Sequence, residues 1–146
     1  MTIHASAVVI GARAVLIRGA AGSGKSSLAF ALIQAGENGT LRFARLVGDD
    51  RLHLEAAHGR LMVRPAETLA GLIEIRGLGI RRVPFEPLAV VGLVMDLGAA
   101  DSERVPAPAI ATTTVAGIAL PRLAVAPGAD PLRLLFAALR TADSGR

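Results

Sequence analysis

Short apolar runs bounded by glycine and proline dominate this chain, and they predict more strands than helices. Ile3–Ile10 and Ala14–Arg18 read as two strands around a turn at Gly11. Ser26–Ala35 reads as a helix, with Leu28, Ala31, Leu32 and Ala35 at helical spacing and Gly36 placed to end it. Arg42–Val47 predicts a strand that delivers Gly48-Asp49-Asp50, and Arg51–Glu55 and Arg60–Arg64 predict two more around the His58-Gly59 turn. A helical turn is expected at Ala66–Gly71, then a strand at Leu72–Arg76. Leu88–Asp96 is nearly all apolar and reads as a buried strand. After a polar, proline-containing loop at Asp101–Pro108 comes another strand region, Gly117–Val125. Asp130-Pro131 suits a helix start: Asp caps free amides and Pro fits the first helical position. Leu132, Leu135, Phe136 and Leu139 form that helix's apolar stripe, and Thr141–Arg146 reads as a frayed tail.

Many strands and few crossover helices imply a mixed sheet, since a fully parallel sheet needs a crossover for every strand pair. The 146 residues suit one α/β domain spanning 1–146. Cysteine is absent, which excludes disulfides, zinc–thiolate sites and thiol catalysis. The apolar runs are broken well short of a membrane span, and the first residues lack the charged and apolar regions of a signal peptide. A cytoplasmic protein without membrane association is the expectation. The net charge is +4, but the arginines are scattered and aromatics make up only 3%. Nucleic-acid binders need a basic stripe and stacking rings, so a solvated basic surface is expected instead. Of the 16 basic residues, Lys25 is the sole lysine.

Lys25 lies in Gly19-Ala20-Ala21-Gly22-Ser23-Gly24-Lys25-Ser26, which has the spacing of a P-loop. Glycines let the backbone turn its N–H groups toward phosphate oxygens, and the following helix adds its positive end. In this motif the lysine reaches the β- and γ-phosphates and the serine hydroxyl serves magnesium. The loop sits between the apolar run Ala14–Ile17 and a predicted helix, which is the context the motif requires. The bland alternative is a glycine-rich turn that binds nothing.

A phosphate cradle needs a second acidic group for the metal and a group that prepares the acceptor. Two sites compete, and an ordinary turn-forming Asp is the bland reading of either. Leu46-Val47-Gly48-Asp49-Asp50 puts adjacent carboxylates at a strand end, offering a base beside a metal ligand. Leu93-Val94-Met95-Asp96 is a generic apolar run ending in Asp, and Asp96 reads mainly as a strand-ending residue. Glu74, in an apolar strand, needs a partner or a metal, and Arg76 shares its face if the strand is regular. His4, His53 and His58 read as ordinary polar residues on chemistry alone.

Together these segments resemble the catalytic domain of the bacterial HPr kinase/phosphorylase family. The resemblance rests on Ile3-His4-Ala5, Gly19–Ser27, Arg45–Arg51 and Leu72–Ile80. The stretch Glu74-Ile75-Arg76-Gly77-Leu78-Gly79-Ile80 is the most diagnostic piece. The resemblance implies a P-loop kinase with a mixed β-sheet like that of phosphoenolpyruvate carboxykinase. It implies transfer of the γ-phosphate of ATP to a serine of an HPr-like phosphocarrier of the phosphotransferase system. It implies a reverse phosphorolysis that makes pyrophosphate, and a hexameric homo-oligomer. By resemblance, Gly19, Ala20, Ala21, Gly22, Ser23, Gly24, Lys25, Ser26 and Ser27 hold ATP. Asp49 takes the serine proton as base, with Lys25 and His4 beside the phosphates. Ser26, Asp50 and Glu74 hold Mg²⁺.

The chain also departs from the family. The N-terminal regulatory domain of longer members has no counterpart in these residues, as in the short form known from alphaproteobacteria. The late loop Val125-Ala126-Pro127-Gly128-Ala129-Asp130 keeps a glycine but lacks the cations of long members, and no Arg-Glu-Asp-Thr stretch occurs. These departures touch phosphorolysis and partner docking, not the kinase core. Two other functions fit the cradle: a small-molecule P-loop kinase, which would need an arginine-bearing lid, and a non-catalytic ATP-binding regulatory module.

Overall fold

The computed structural model describes residues 1–142 and 144; of the expected frayed tail, Asp143, Gly145 and Arg146 lie outside the described residues. The chain forms β1 (Thr2–Ile3), β2 (Ser6–Ile10), β3 (Arg13–Arg18), α1 (Lys25–Glu37), β4 (Ala44–Gly48), β5 (Leu52–Ala57) and β6 (Arg60–Pro65). A 3₁₀ turn at Glu67–Leu69 leads to β7 (Leu72–Ile75), β8 (Gly79–Arg82), β9 (Ala89–Leu97), β10 (Thr112–Val115), β11 (Ile118–Val125) and α2 (Pro131–Arg140).

Nine strands form one mixed sheet, with β1, β5, β6, β9, β3, β2 and β4 in lateral order. β9 runs parallel to β3 on one side and, through its C-terminal half, parallel to β11 on the other. Its first residues pair antiparallel with β6. β11 is in turn paired with β10. The remaining ladders are antiparallel, as tight connections such as the Gly11 turn between β2 and β3 demand. β7 and β8 make a separate hairpin.

Alternation along each strand divides the apolar residues into two cores. Val8, Val15, Ile17, Leu46 and Met95 face the helices, packing on Leu28, Leu32 and Ile33 of α1 and Leu135 of α2. Ala7, Val9, Leu16, Val47 and Val94 face the opposite way, against Leu52, Leu54, Leu61 and Val63 of the curled β5–β6 hairpin and Leu120 of β11. The sheet is therefore covered by helices on one side and by its own curl on the other, the usual solution for burying both faces.

Several elements differ from the sequence expectation. The first strand breaks at His4-Ala5 into β1 and β2. Gly36 does not end the first helix, which runs on to Glu37. A Cβ on Gly36 would lie 2.8 Å from the Ala44 nitrogen, so this glycine permits close approach of β4. The strand expected to reach Arg76 stops at Ile75, and the chain turns into the unanticipated strand β8. β10 was also not anticipated. Asp130 does cap α2, its carboxylate accepting from the N–H groups of Leu132 and Arg133. Of the expected stripe on α2, Leu135 is buried, while Leu139 is 45% exposed.

Candidate active site

The Gly19–Ser26 loop leaves the C-terminal end of β3 and enters α1 at Lys25. Ser23 N–H donates to the Ala20 carbonyl at 3.0 Å, and Gly24 takes a left-handed φ of 99° that suits glycine alone. Lys25 Nζ folds back on the loop, donating to the carbonyls of Gly19 at 2.8 Å and Ala20 at 3.1 Å. The loop forms one wall of a cleft of about 510 Å³, lined also by His4, Ser6, Asp49, Asp50, Glu74 and Arg76.

Asp49 is the centre of this cleft. It is 4% exposed, and its carboxylate accepts three groups from three elements. Ser26 Oγ lies 2.9 and 2.8 Å from its two oxygens. Ser6 Oγ donates at 2.5 Å, and the Glu74 backbone N–H donates at 3.1 Å. Ser26 at the start of α1, β2 and β7 are thus joined through one side chain. Both Asp49 oxygens are engaged, which a buried carboxylate requires.

Asp50 is the opposite case. Arg51 N–H returns to the Asp49 carbonyl at 2.9 Å, and Asp50 between them has φ 71°. This is the pattern of a γ-turn, rare and strained for a residue with a side chain. The turn explains how adjacent residues both reach the cleft although strand neighbours face opposite ways. The Asp50 side chain is 73% exposed and lies 3.8 Å from His4 Nδ1, itself 71% exposed.

Of the residues singled out from sequence, the cleft gathers Lys25, Ser26, Asp49, Asp50, Glu74 and His4. Glu74 presents its backbone to Asp49 and its exposed side chain to the cleft. Arg76 lines the cleft, but no Glu74–Arg76 ion pair occurs among the described residues. His53 instead meets Thr2, its Nδ1 3.1 Å from Thr2 Oγ1.

Asp96 does not join the cleft. Arg18 grips it with Nε at 2.7 Å and Nη2 at 2.8 Å, and Arg122 Nε reaches it at 2.6 Å. Burial pushes the Asp96 carboxyl up, but the hydrogen bonds and charges of Arg18 and Arg122 outweigh it and hold the group below its ordinary value. Arg122 also binds Asp101 through both ends of its guanidinium at 3.0 Å.

Sequence reasoning missed Ser6. The available signal was a single hydroxyl within the otherwise apolar run Ala5–Ile10, where a buried polar group needs a partner.

Comparison with known proteins gives this cleft a family. The profile described as "HPr Serine kinase C-terminal domain" matches residues 1–85, more than half of the chain. The HPr kinase/phosphorylase of Streptococcus thermophilus is 42% identical over 80 residues, 54% of this chain and 24% of that protein. The one from Clostridium tetani is 35% identical over 82 residues, 56% of this chain and 25% of that protein. The chain therefore spans about a quarter of the length of these curated relatives. The solved structure of the Hpr(Ser) kinase/phosphatase from Coxiella burnetii superposes with a TM-score of 0.73 at 30% identity, covering 95% of this chain and 93% of that one. The chain belongs to the HPr serine kinase C-terminal domain family.

Proposed function

We propose that residues 1–146 form a P-loop kinase domain of the phosphoenolpyruvate carboxykinase-like kind. In this reading it acts in the cytoplasm and moves the γ-phosphate of ATP to a serine of an HPr-like phosphocarrier. The observation that carries the proposal is the Ser26–Asp49 contact with Asp50 open beside it, so that a phosphate cradle, a buried carboxylate and a free carboxylate share one cleft. Family membership favours this reading over a small-molecule kinase or a non-catalytic ATP-binding module.

The donor chemistry fits Mg²⁺, a hard cation that prefers oxygen ligands and takes one or two carboxylates beside phosphates. Ser26, Asp49 and Glu74 would hold it, and once bound it neutralises charge on the β- and γ-oxygens. Lys25 leaves the loop carbonyls for the same phosphates. The backbone amides of the loop hold the phosphate chain.

The geometry favours exchanging the two roles expected from sequence for the Asp pair. Asp49 is buried with both oxygens engaged, which suits holding and orienting. Asp50 is exposed with unengaged oxygens, which suits a base. As the serine oxygen bonds to the γ-phosphorus, the bond from that phosphorus to the bridging oxygen breaks. ADP leaves, and the serine proton passes to Asp50. His4, 3.8 Å from Asp50, would stand beside the phosphates in the same cleft. Phosphorolysis would run the same proton back onto the serine oxygen while inorganic phosphate takes the phosphoryl group.

The test is mass analysis of an HPr-like phosphocarrier incubated with the protein, ATP and Mg²⁺. Gain of one phosphoryl group on a serine is expected; ATP binding without transfer would favour the regulatory module. Asp50→Asn should lower transfer about 10²- to 10⁴-fold with MgATP affinity retained. Asp49→Asn should instead weaken MgATP binding. The reverse pattern would return the base role to Asp49.

A further inference from the structure

A second, smaller cavity of about 250 Å³ adjoins the phosphate loop. Its walls are Leu97 and Gly98 at the end of β9, the Val125–Ala129 loop at the end of β11, Pro131 of α2, and Ser23 of the Gly19–Ser26 loop itself. That is room for a planar ring system and not merely for a single water.

Three observations bear on what fills it. First is its place in the fold. β3 feeds the phosphate loop and lies between β2–β4 on one side and β9–β11 on the other. Asp49 and Asp50 follow β4, so the transfer machinery occupies the first side. The cavity occupies the second, outside the carboxyl ends of parallel strands, where open α/β sheets bind ligands. A phosphate chain whose terminal group faces Asp50 must send its nucleoside the other way. Second is the lining. Leu97 and Val125 are buried, and Ala126, Pro127, Ala129 and Pro131 add only apolar side chains. Third is Ser23: its Oγ is buried and has no hydrogen-bond partner among the described residues. A buried hydroxyl without a partner is costly, and a ligand oxygen or ring nitrogen would satisfy it.

We infer that this cavity is the nucleoside slot: it takes the base of the ATP whose phosphates lie in the Gly19–Ser26 loop, with Ser23 Oγ bonding its ribose or ring edge. The inference rests on the ATP-dependent reading above.

Calorimetry with MgATP and magnesium tripolyphosphate tests this, because tripolyphosphate can use the cradle but not the slot. Ala126→Leu and Ala129→Leu fill the slot from its two sides. Each should weaken MgATP about tenfold or more and leave magnesium tripolyphosphate within about twofold. Unchanged MgATP affinity in both variants overturns the slot. Photolabelling of the unsubstituted protein with an azido-adenine analogue of ATP is independent of either substitution. The label should fall on the 125–131 segment, and labelling confined elsewhere overturns the assignment. If the unsubstituted protein binds neither ATP nor tripolyphosphate, the cradle reading itself fails and takes the slot with it.

Discussion

At Asp50 the backbone holds a side chain in a conformation that glycine adopts more easily, with φ at 71°. Hydrogen bonds on either side keep it there: Ala5 N–H donates to the Asp50 carbonyl at 3.2 Å and Ala66 N–H to that of Arg51 at 3.2 Å. Such strain persists where the surroundings over-determine it, and it clusters at functional sites. The proposed base role gives the strain a purpose, because the turn aims this carboxylate into the cleft. Asp50→Gly should therefore stabilise the fold by about 1 kcal/mol while removing transfer. Chemical denaturation and the phosphocarrier assay read the two effects separately, and a destabilised variant would contradict the strain. Ser6 shows the opposite economy. It is fully buried and donates to Asp49, a hydrogen bond to a carboxylate. Ser6→Ala should cost about 2 kcal/mol in denaturation and loosen Asp49. The Asp pair was visible in sequence, but which of the two carboxylates is buried was not, because a γ-turn at one residue decides it.

Among the elements, α1 carries a sharp test at Gly36. Helix propensity alone favours Gly36→Ala by about 1 kcal/mol. The structure gives the opposite sign, since the added methyl would lie 2.8 Å from the Ala44 nitrogen and 2.9 Å from its Cβ. Backbone cannot yield as a flexible side chain does, so the variant should lose about 1–3 kcal/mol. A raised thermal midpoint would show that β4 can retreat. The same position explains why the helix end was misjudged from sequence. A glycine near the end of an apolar stripe signals termination, but it equally permits contact with a strand that a single sequence does not reveal. Gly79 and the arginines of β8 show a related limit. Strand Gly79–Arg82 is exposed throughout, with Ile80 63% exposed, so no alternating buried face announced it. The α2 start was legible because Asp130-Pro131 acts locally, through bonds to residues two and three positions on.

For the whole molecule, the mixed sheet was legible because strand signals far outnumbered helices, whereas its curl and strand order depend on contacts between distant residues. Asp96 marks that boundary. Its run of apolar residues predicted the strand, but only the assembled sheet brings Arg18 of β3 and Arg122 of β11 onto it. The resulting cluster ties three adjacent strands and, through Asp101, the segment after β9. It lies 16% exposed at Asp96 and 12% at Arg122, so solvent screens it only in part. Removing Asp96 leaves two guanidinium groups without their shared partner. Asp96→Asn should then cost about 3 kcal/mol at neutral pH, the lower end for a broken buried pair. The pH dependence has a definite sign. The arginines hold the folded-state carboxyl below its ordinary value of 3.8, so the unfolded chain binds the proton first. The stabilisation is complete above the unfolded value and is lost as pH falls through the folded one. Denaturation midpoints of the natural protein and of Asp96→Asn, measured at neutral pH and then stepwise into the acid range, should therefore converge. Their separation should be constant down to about pH 5 and shrink below about pH 4, where protonation removes the charge the substitution removes outright. A separation that persists undiminished in acid would mean that Asp96 stabilises by packing rather than by charge, and the cluster would lose its claim to join the strands electrostatically.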